Sequence, residues 1–228
     1  MVRILAVDTS SAHGSVCVAE GGEVLGEVRL ASSIQYSERL FRSLEFLLQY
    51  VPFSLSDIDL FVAARGPGSF TGLRIGLAAI EGFSTAHEKP GAGISTLGAL
   101  AWKTEIHDSL VVPTIDARRG EVYGAIYKRI GDSLVEERQP TVCKPGVWFS
   151  SLPDCPLTIC GDGADRYRDI IDARRQWMIQ RVDPYLACTI AEMALTSNTG
   201  PLEPLYVRKT DAEIAREQRH ESIAGPNT

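Results

Sequence analysis

The chain has 228 residues, a formal net charge of −6 and 44 % hydrophobic residues, enough for one large globular domain or two lobes with a full core. The acidic balance excludes a broad nucleic-acid surface on this chain, though not a partner that binds RNA. The opening Met-Val-Arg-Ile-Leu-Ala-Val-Asp meets a carboxylate after a few apolar residues, and no apolar run reaches about 18 residues; neither a signal peptide nor a membrane span is expected, and the expected location is the cytoplasm.

Arg3 to Asp8 reads as a buried strand that stops at the polar turn Asp8-Thr9-Ser10-Ser11. Gly14 to Ala19 reads as a second strand, and Gly21-Gly22 as a hairpin turn into a third, Val24 to Leu30, whose alternation leaves one face covered. Ser37 is placed to cap a helix with Leu40, Phe41, Leu44, Leu47, Leu48 and Val51 in one stripe, ended by Pro52. Ser56-Asp57 leads into a strand over Ile58 to Ala64.

Next comes Arg65-Gly66-Pro67-Gly68-Ser69-Phe70-Thr71-Gly72-Leu73-Arg74-Ile75-Gly76, a sharp turn feeding a helix that runs to about Ala86. Ser69 or Thr71 can cap it. Gly72, Gly76, Ala79, Gly82 and Ala86 recur at helical spacing, so one face is nearly bare of side chains and would let a second helix approach it closely, which reads as an interface either within the fold or with another chain, packing against its own lobe being the plain alternative. An interior glycine costs about 1 kcal/mol against alanine, so a close-packing reason is expected. The turn lacks the Lys-Ser/Thr pair of a phosphate-binding P-loop, since Leu73-Arg74 follow Gly72. It also lacks the flanking glycines of a hydrolase nucleophile elbow, because Pro67 and Thr71 sit two residues either side of Ser69. Capping and packing are the plain reading, with anion binding by bare backbone amides as the alternative.

Lys89-Pro90-Gly91 closes this helix, Ala92-Gly93-Ile94 is a short strand, and Ser95 or Thr96 starts a helix to about Lys103. The opening pattern then returns. Leu110 to Asp116 is again an apolar strand ending in aspartate, Gly120 to Tyr127 parallels Gly14 to Ala19, and Gly131-Asp132 turns into a strand over Leu134 to Pro140. Asp8 and Asp116 lie 108 positions apart (116 − 8), which indicates an internal duplication. Beyond it the pattern predicts a strand over Leu157 to Cys160, a turn at Gly161-Asp162-Gly163, a helix near Ala164 to Ala173 and another from about Leu186 to Ser197, with Ile190, Met193, Ala194 and Ser197 on one face. The expected division is a first lobe over 1–108, a smaller second lobe over 109–208 with the helix at about 186–199 able to pack back on the first, and a mobile charged tail over 209–228.

Five cysteines, with no C-x-x-C pair, are expected to be reduced structural thiols. His13, His87, His107 and His220 form no i, i+4 pair, so no metal site is expected.

A duplicated β-β-β-α-β-α unit with an aspartate turn in each half resembles the actin, sugar-kinase and Hsp70 superfamily. The implied fold is α/β, a duplicated actin-like (ASKHA) fold of two lobes, each a mixed sheet with flanking helices. The Gly-Pro-Gly-Ser-Phe-Thr-Gly run, the opening Ile4 to Ser10, the stretch Ile115 to Tyr123 and the closing Glu203-Pro204-Leu205-Tyr206-Val207-Arg208 resemble, more narrowly, the bacterial TsaB family, also called YeaZ. That resemblance implies a non-catalytic dimerisation and activator subunit, without catalytic residues, of the assembly that forms N6-threonylcarbamoyladenosine at position 37 of tRNAs reading codons that begin with A. It implies a TsaD-like catalytic partner, a TsaE-like ATPase, a homodimer when alone, and contact with tRNA through the complex rather than a membrane. ATP, magnesium and metal would belong to the partner subunits, with no cofactor held tightly by this chain. Where TsaD-like proteins carry His-Met-Glu-Gly-His, this chain has Thr96-Leu97-Gly98-Ala99-Leu100, neither end of which ligates metal as histidine does.

The resemblance places the partner interface on the helices starting at Ser37 and Thr71, with Arg39, Leu40, Leu44, Gly72, Arg74, Ile75, Gly76, Ala79 and Glu81 as its residues. Relatives often have histidine where Tyr36-Ser37-Glu38 stand here. Asp8, Thr9, Ser10, Asp116 and Arg118 mark the place where the superfamily grips metal and phosphate, and are read as a vestigial phosphate or ATPase-partner site or as plain turn-capping residues. The alternative function is a stand-alone ATPase or small-molecule kinase; a peptidase finds no nucleophile constellation.

Overall fold

The computed structural model describes residues 1–31, 36–131, 133–196 and 199–208, with Tyr36 and Ser37 as backbone alone. The cap at Ser37, Asp132 of the second hairpin, Ser197 and the tail over 209–228 lie outside the described residues.

The first half folds as strands β1 (Arg3–Asp8), β2 (Gly14–Glu20) and β3 (Glu23–Leu30), helix α1 (Tyr36–Leu48), β4 (Leu60–Gly66), α2 (Phe70–Ala86), β5 (Gly91–Ser95) and α3 (Thr96–Trp102). The second half contributes β6 (Leu110–Asp116), β7 (Val122–Ile130), β8 (Ser133–Cys143), α4 (Pro145–Ser150), β9 (Leu157–Cys160), α5 (Asp162–Arg166), α6 (Arg168–Asp172), β10 (Trp177–Ile179) and α7 (Ala187–Ala194). Each half builds one five-stranded sheet, ordered β3-β2-β1-β4-β5 and β8-β7-β6-β9-β10. In both, the first three strands are antiparallel and the last two add in parallel to the first. The duplication visible in the two aspartate-ended strands is therefore a duplication of topology.

Packing explains the strand patterns. Leu5 and Val7 of β1 join Phe61 and Ala63 against α1 and α2, while Ile4 and Ala6 on the opposite face join Val62 and Ala64. A strand covered on both faces reads as a continuous apolar run, as Arg3–Asp8 does. Helices α3 and α7 lie between the two sheets, where Leu97, Ile190 and Met193 meet Val111, Ala125 and Tyr127. The α7 amide of Ala187 donates to the Ser15 hydroxyl on β2 at 2.9 Å, tying it to the first lobe. The second lobe's outer face is closed by Trp148 and Phe149 of α4 and Ile171 of α6 over Val112, Val122 and Ile126.

Three features depart from the sequence reading. The single helix expected over Ala164 to Ala173 is two short helices, α5 and α6, broken at Tyr167 with φ −112°. Helix α4 and strand β10 were not signalled, being six and three residues long, below the span over which periodicity is legible. The third strand of the second lobe extends to Cys143 through Pro140, which an edge strand tolerates.

Candidate functional site

The glycine turn joins β4 to α2. Gly66 takes φ +112°, and the Gly66–Pro67 bond is cis. Of the two capping candidates, Ser69 acts: its Oγ accepts the Gly72 amide at 3.2 Å. The turn is pinned to the aspartate turn after β1, because the Ser69 amide donates to the Ser10 carbonyl at 2.6 Å and the Thr9 hydroxyl to the Gly72 carbonyl at 2.7 Å. A Cβ at Gly72 would collide with the Thr9 carbonyl oxygen, and one at Gly76 with the Thr9 hydroxyl. This corrects the expected packing partner of the glycine face: it is the chain's own β1 turn, not a second helix. The outward face of α2 instead carries Arg74, Ala78, Glu81 and Gly82, and a Cβ at Gly82 would meet nothing within 4 Å.

Interface candidates separate accordingly. Leu40 and Leu44 pack into the first-lobe core beside Ala79, and Ile75 is half-buried against the same core. Gly72 and Gly76 are buried as well, so these inward residues hold the lobe together rather than present a surface. Arg39, Arg74 and Glu81 are exposed. The Arg74 guanidinium lies 4.0 Å over the Phe70 ring and its Nε donates to the Tyr206 hydroxyl at 3.2 Å. Phe41, Phe46 and Tyr50 of the α1 segment are 51 %, 52 % and 74 % exposed; Phe41 meets Phe83 of α2 edge-on, and Phe46 pairs with Tyr50 on the other flank of the buried Leu40, Leu44 and Leu47. Of these, the stripe had assigned Phe41 to the core with Leu40, Leu44, Leu47, Leu48 and Val51, which do pack there.

The two aspartate turns have the same first bond and different surroundings. Asp8 Oδ1 accepts the Ser10 amide at 2.8 Å, and Asp116 Oδ1 the Arg118 amide at 3.0 Å. Asp8 is fully buried and its Oδ2 has no hydrogen-bond partner among the described residues; burial pushes its carboxyl up to about 6, against the opposing pull of Ser10 and, more weakly, Lys103. Asp116 Oδ2 lies 3.5 Å from Arg118 Nη1 and 3.2 Å from Arg166 Nη1. Its amide donates to Asp162 Oδ1 at 2.9 Å, and burial raises the Asp162 carboxyl. Arg118, Arg119 and Gly120 follow one another at positive φ, which puts two arginine side chains on the rim. A cation gripped between the two aspartates does not fit these residues: one is enclosed, and the other already faces two guanidiniums.

Between the lobes lies a cleft of about 1020 Å³, with Ser10, Phe70 and Leu73 on one wall and Asp116, Arg118 and Tyr123 on the other. The closing segment crosses it. Gly200 exchanges backbone bonds with Gly93 at 2.8 and 2.9 Å, Leu205 donates to the Arg65 carbonyl at 2.7 Å, Tyr206 packs on Phe70, and Arg208 forms an ion pair with Glu121 of the second lobe. Among the described residues no group of three or more His, Cys, Asp or Glu side chains is placed to hold a metal ion, and no helix is long and apolar enough to cross a membrane.

The family model described as TsaD, tRNA N6-adenosine threonylcarbamoyltransferase, matches residues 24–161. The tRNA threonylcarbamoyladenosine biosynthesis protein TsaB of Bacillus subtilis is 32 % identical over 75 % of this chain and 76 % of its own length. The protein of the same name from Escherichia coli is 35 % identical over 64 % of each, just under two thirds of that relative. The solved structure of YeaZ from Pseudomonas aeruginosa superposes with a TM-score of 0.77 over 90 % of this chain and 100 % of that one, at 24 % identity, a likeness of fold.

Proposed function

The chain belongs to the TsaB family, and from that membership we propose that it serves tRNA threonylcarbamoyladenosine biosynthesis as a non-catalytic subunit. It pairs with a TsaD-like catalytic subunit, helps to bring a TsaE-like ATPase to the assembly, and forms a homodimer through the same face when alone. ATP, magnesium and metal are held by the partner subunits, and tRNA is reached through the complex.

The observation that carries this reading is the outer face of α1 and α2. Helix α1 exposes Arg39 and Phe41, the latter touching Phe83 of α2, and α2 exposes the small residues Ala78 and Gly82 together with Arg74 and Glu81. Rings at a surface with a charged rim are what an interface core requires, and small residues let a partner helix approach closely. Gly82→Leu tests it, because a Cβ at this position meets no atom within 4 Å. It should prevent pairing with the TsaD-like protein while the fold survives; pairing at full strength would refute the assignment to α2.

A second reading, nucleotide binding by the chain alone, draws support from one observation. The Ser10 and Thr96 hydroxyls line the cleft, are buried, and lack hydrogen-bond partners among the described residues. Against it stands Asp116, already facing Arg118 and Arg166. Calorimetric titration of the isolated chain with Mg-ATP, repeated on Asp8→Ala, decides between the two: saturable binding lost in the variant favours this second reading.

A further inference from the structure

Away from the main cleft, the segment over 199–207 covers a second groove of about 600 Å³ between the ends of β4 and β5 on the first lobe and strand β8 on the second. Arg65 and Ser95 line it from one side, and Glu136, Gln139 and Thr141 from the other. Arg65 is the unusual member. Its side chain packs under the backbone of Gly93 and Gly200, its Nε is cut off from the surface, and among the described residues its guanidinium has neither a hydrogen-bond acceptor nor a carboxylate within 4 Å. A buried Nε–H without an acceptor carries an uncompensated desolvation cost, and the planar fork of the guanidinium matches a carboxylate or phosphate.

The opposite wall selects between those two anions. Glu136 accepts a hydrogen bond on Oε2 from the Tyr127 hydroxyl at 3.2 Å, and Tyr127 in turn lies 3.3 Å from Ser95 Oγ, a polar chain that joins the lobes behind the groove. The Glu136 carboxylate faces the same space as Arg65 without pairing to it. Glu136 offsets part of the attraction that Arg65 exerts on any anion; because that attraction grows in proportion to the anion's charge and the cost of shedding water grows with its square, the remainder holds a single carboxylate more readily than a doubly charged phosphate. Thr141 and Thr199 line the same space and bring neutral hydroxyls to it. We propose that this groove is a binding site for a small monocarboxylate, anchored by Arg65 and kept from polyanions by Glu136. It is separate from the helix face proposed for the partner.

Amide NMR titration of the full chain at neutral pH and fixed ionic strength tests it, with acetate and inorganic phosphate as the probes and chloride as the balancing salt. Acetate is expected to shift the amides of Gly93, Ser95, Thr141 and Gly200 saturably, and phosphate is not. Arg65→Gln should weaken acetate by about tenfold or more, the loss of one charge-assisted contact. Glu136 is exposed, so Glu136→Gln should fold normally, retain acetate and admit phosphate. No saturable shift with acetate, equal binding by Arg65→Gln, phosphate binding the native chain as well as acetate does, or phosphate still excluded from Glu136→Gln would each overturn the proposal.

Discussion

The Thr9 hydroxyl donates to the carbonyl oxygen of Gly72 at 2.7 Å, binding the turn after β1 to the first turn of α2 so closely that Gly72 has no room for a Cβ. Two glycines on one helix therefore have opposite tolerances. Gly72→Ala drives a methyl into backbone and should destabilise the chain by about 1–3 kcal/mol or more. For a protein of this size that lowers the melting temperature by roughly 3–10 °C. Gly82→Ala, in open space, should raise stability by about 0.5–1 kcal/mol through helix propensity. Thermal melts of both variants check the contrast.

The same geometry separates folding from association. Gly76→Leu pushes against Thr9 and Val7 and should unfold the first lobe, whereas Gly82→Leu should melt no lower than the native chain, gaining helix propensity as Gly82→Ala does, and prevent pairing with a TsaD-like protein. Phe41→Glu on α1 should likewise leave the lobe folded and prevent pairing, since half of that residue is already in water. Melts read beside pull-down assays distinguish the two classes.

Asp8 makes stability depend on pH. Its folded carboxyl titrates at about 6 against an ordinary 3.8, so between those values the folded state holds a proton that the unfolded chain has released. Stability consequently falls as pH rises through that window, by up to about 3 kcal/mol from this group, and the loss is complete above it. Asp8→Asn keeps an oxygen for the Ser10 amide and removes the titration. Relative to the native chain, the variant should gain stability between about pH 4 and 6 and show a constant difference outside that range, measured by urea unfolding across pH.

The Asp116 turn predicts weak nucleotide affinity. With Oδ2 flanked by Arg118 and Arg166, Asp116 is not free to hold magnesium, and Mg-ATP at millimolar levels should leave the melting temperature of the isolated chain unchanged. A saturable rise would restore the stand-alone ATPase or kinase as the reading to pursue.

Sequence patterns disclosed the duplicated topology because strands covered on both faces appear as uninterrupted apolar runs, each closed by an aspartate. Ser69 was legible as one of two caps; the choice needed the actual distance to Gly72. The glycine face of α2 was visible as a stripe, but its neighbour was not, since periodicity says that a face is bare and never what fills it. Gly72 and Gly76 proved to meet Thr9, over 60 positions earlier in the chain. For the same reason Leu40 and Leu44 could not be told from Phe41 in one stripe, although the first two are core and the third is half in solvent. Arg65 gave no signal at all: a guanidinium without an acceptor is a property of the packed structure.

The most direct test of the proposed function is size-exclusion chromatography with light scattering on this chain, on the TsaD-like protein of the same organism and on their equimolar mixture. The mixture should give one new peak containing both chains, with the homodimer of this chain consumed as it forms. Two components that elute unchanged across a concentration series would contradict a partner role for the α1–α2 face.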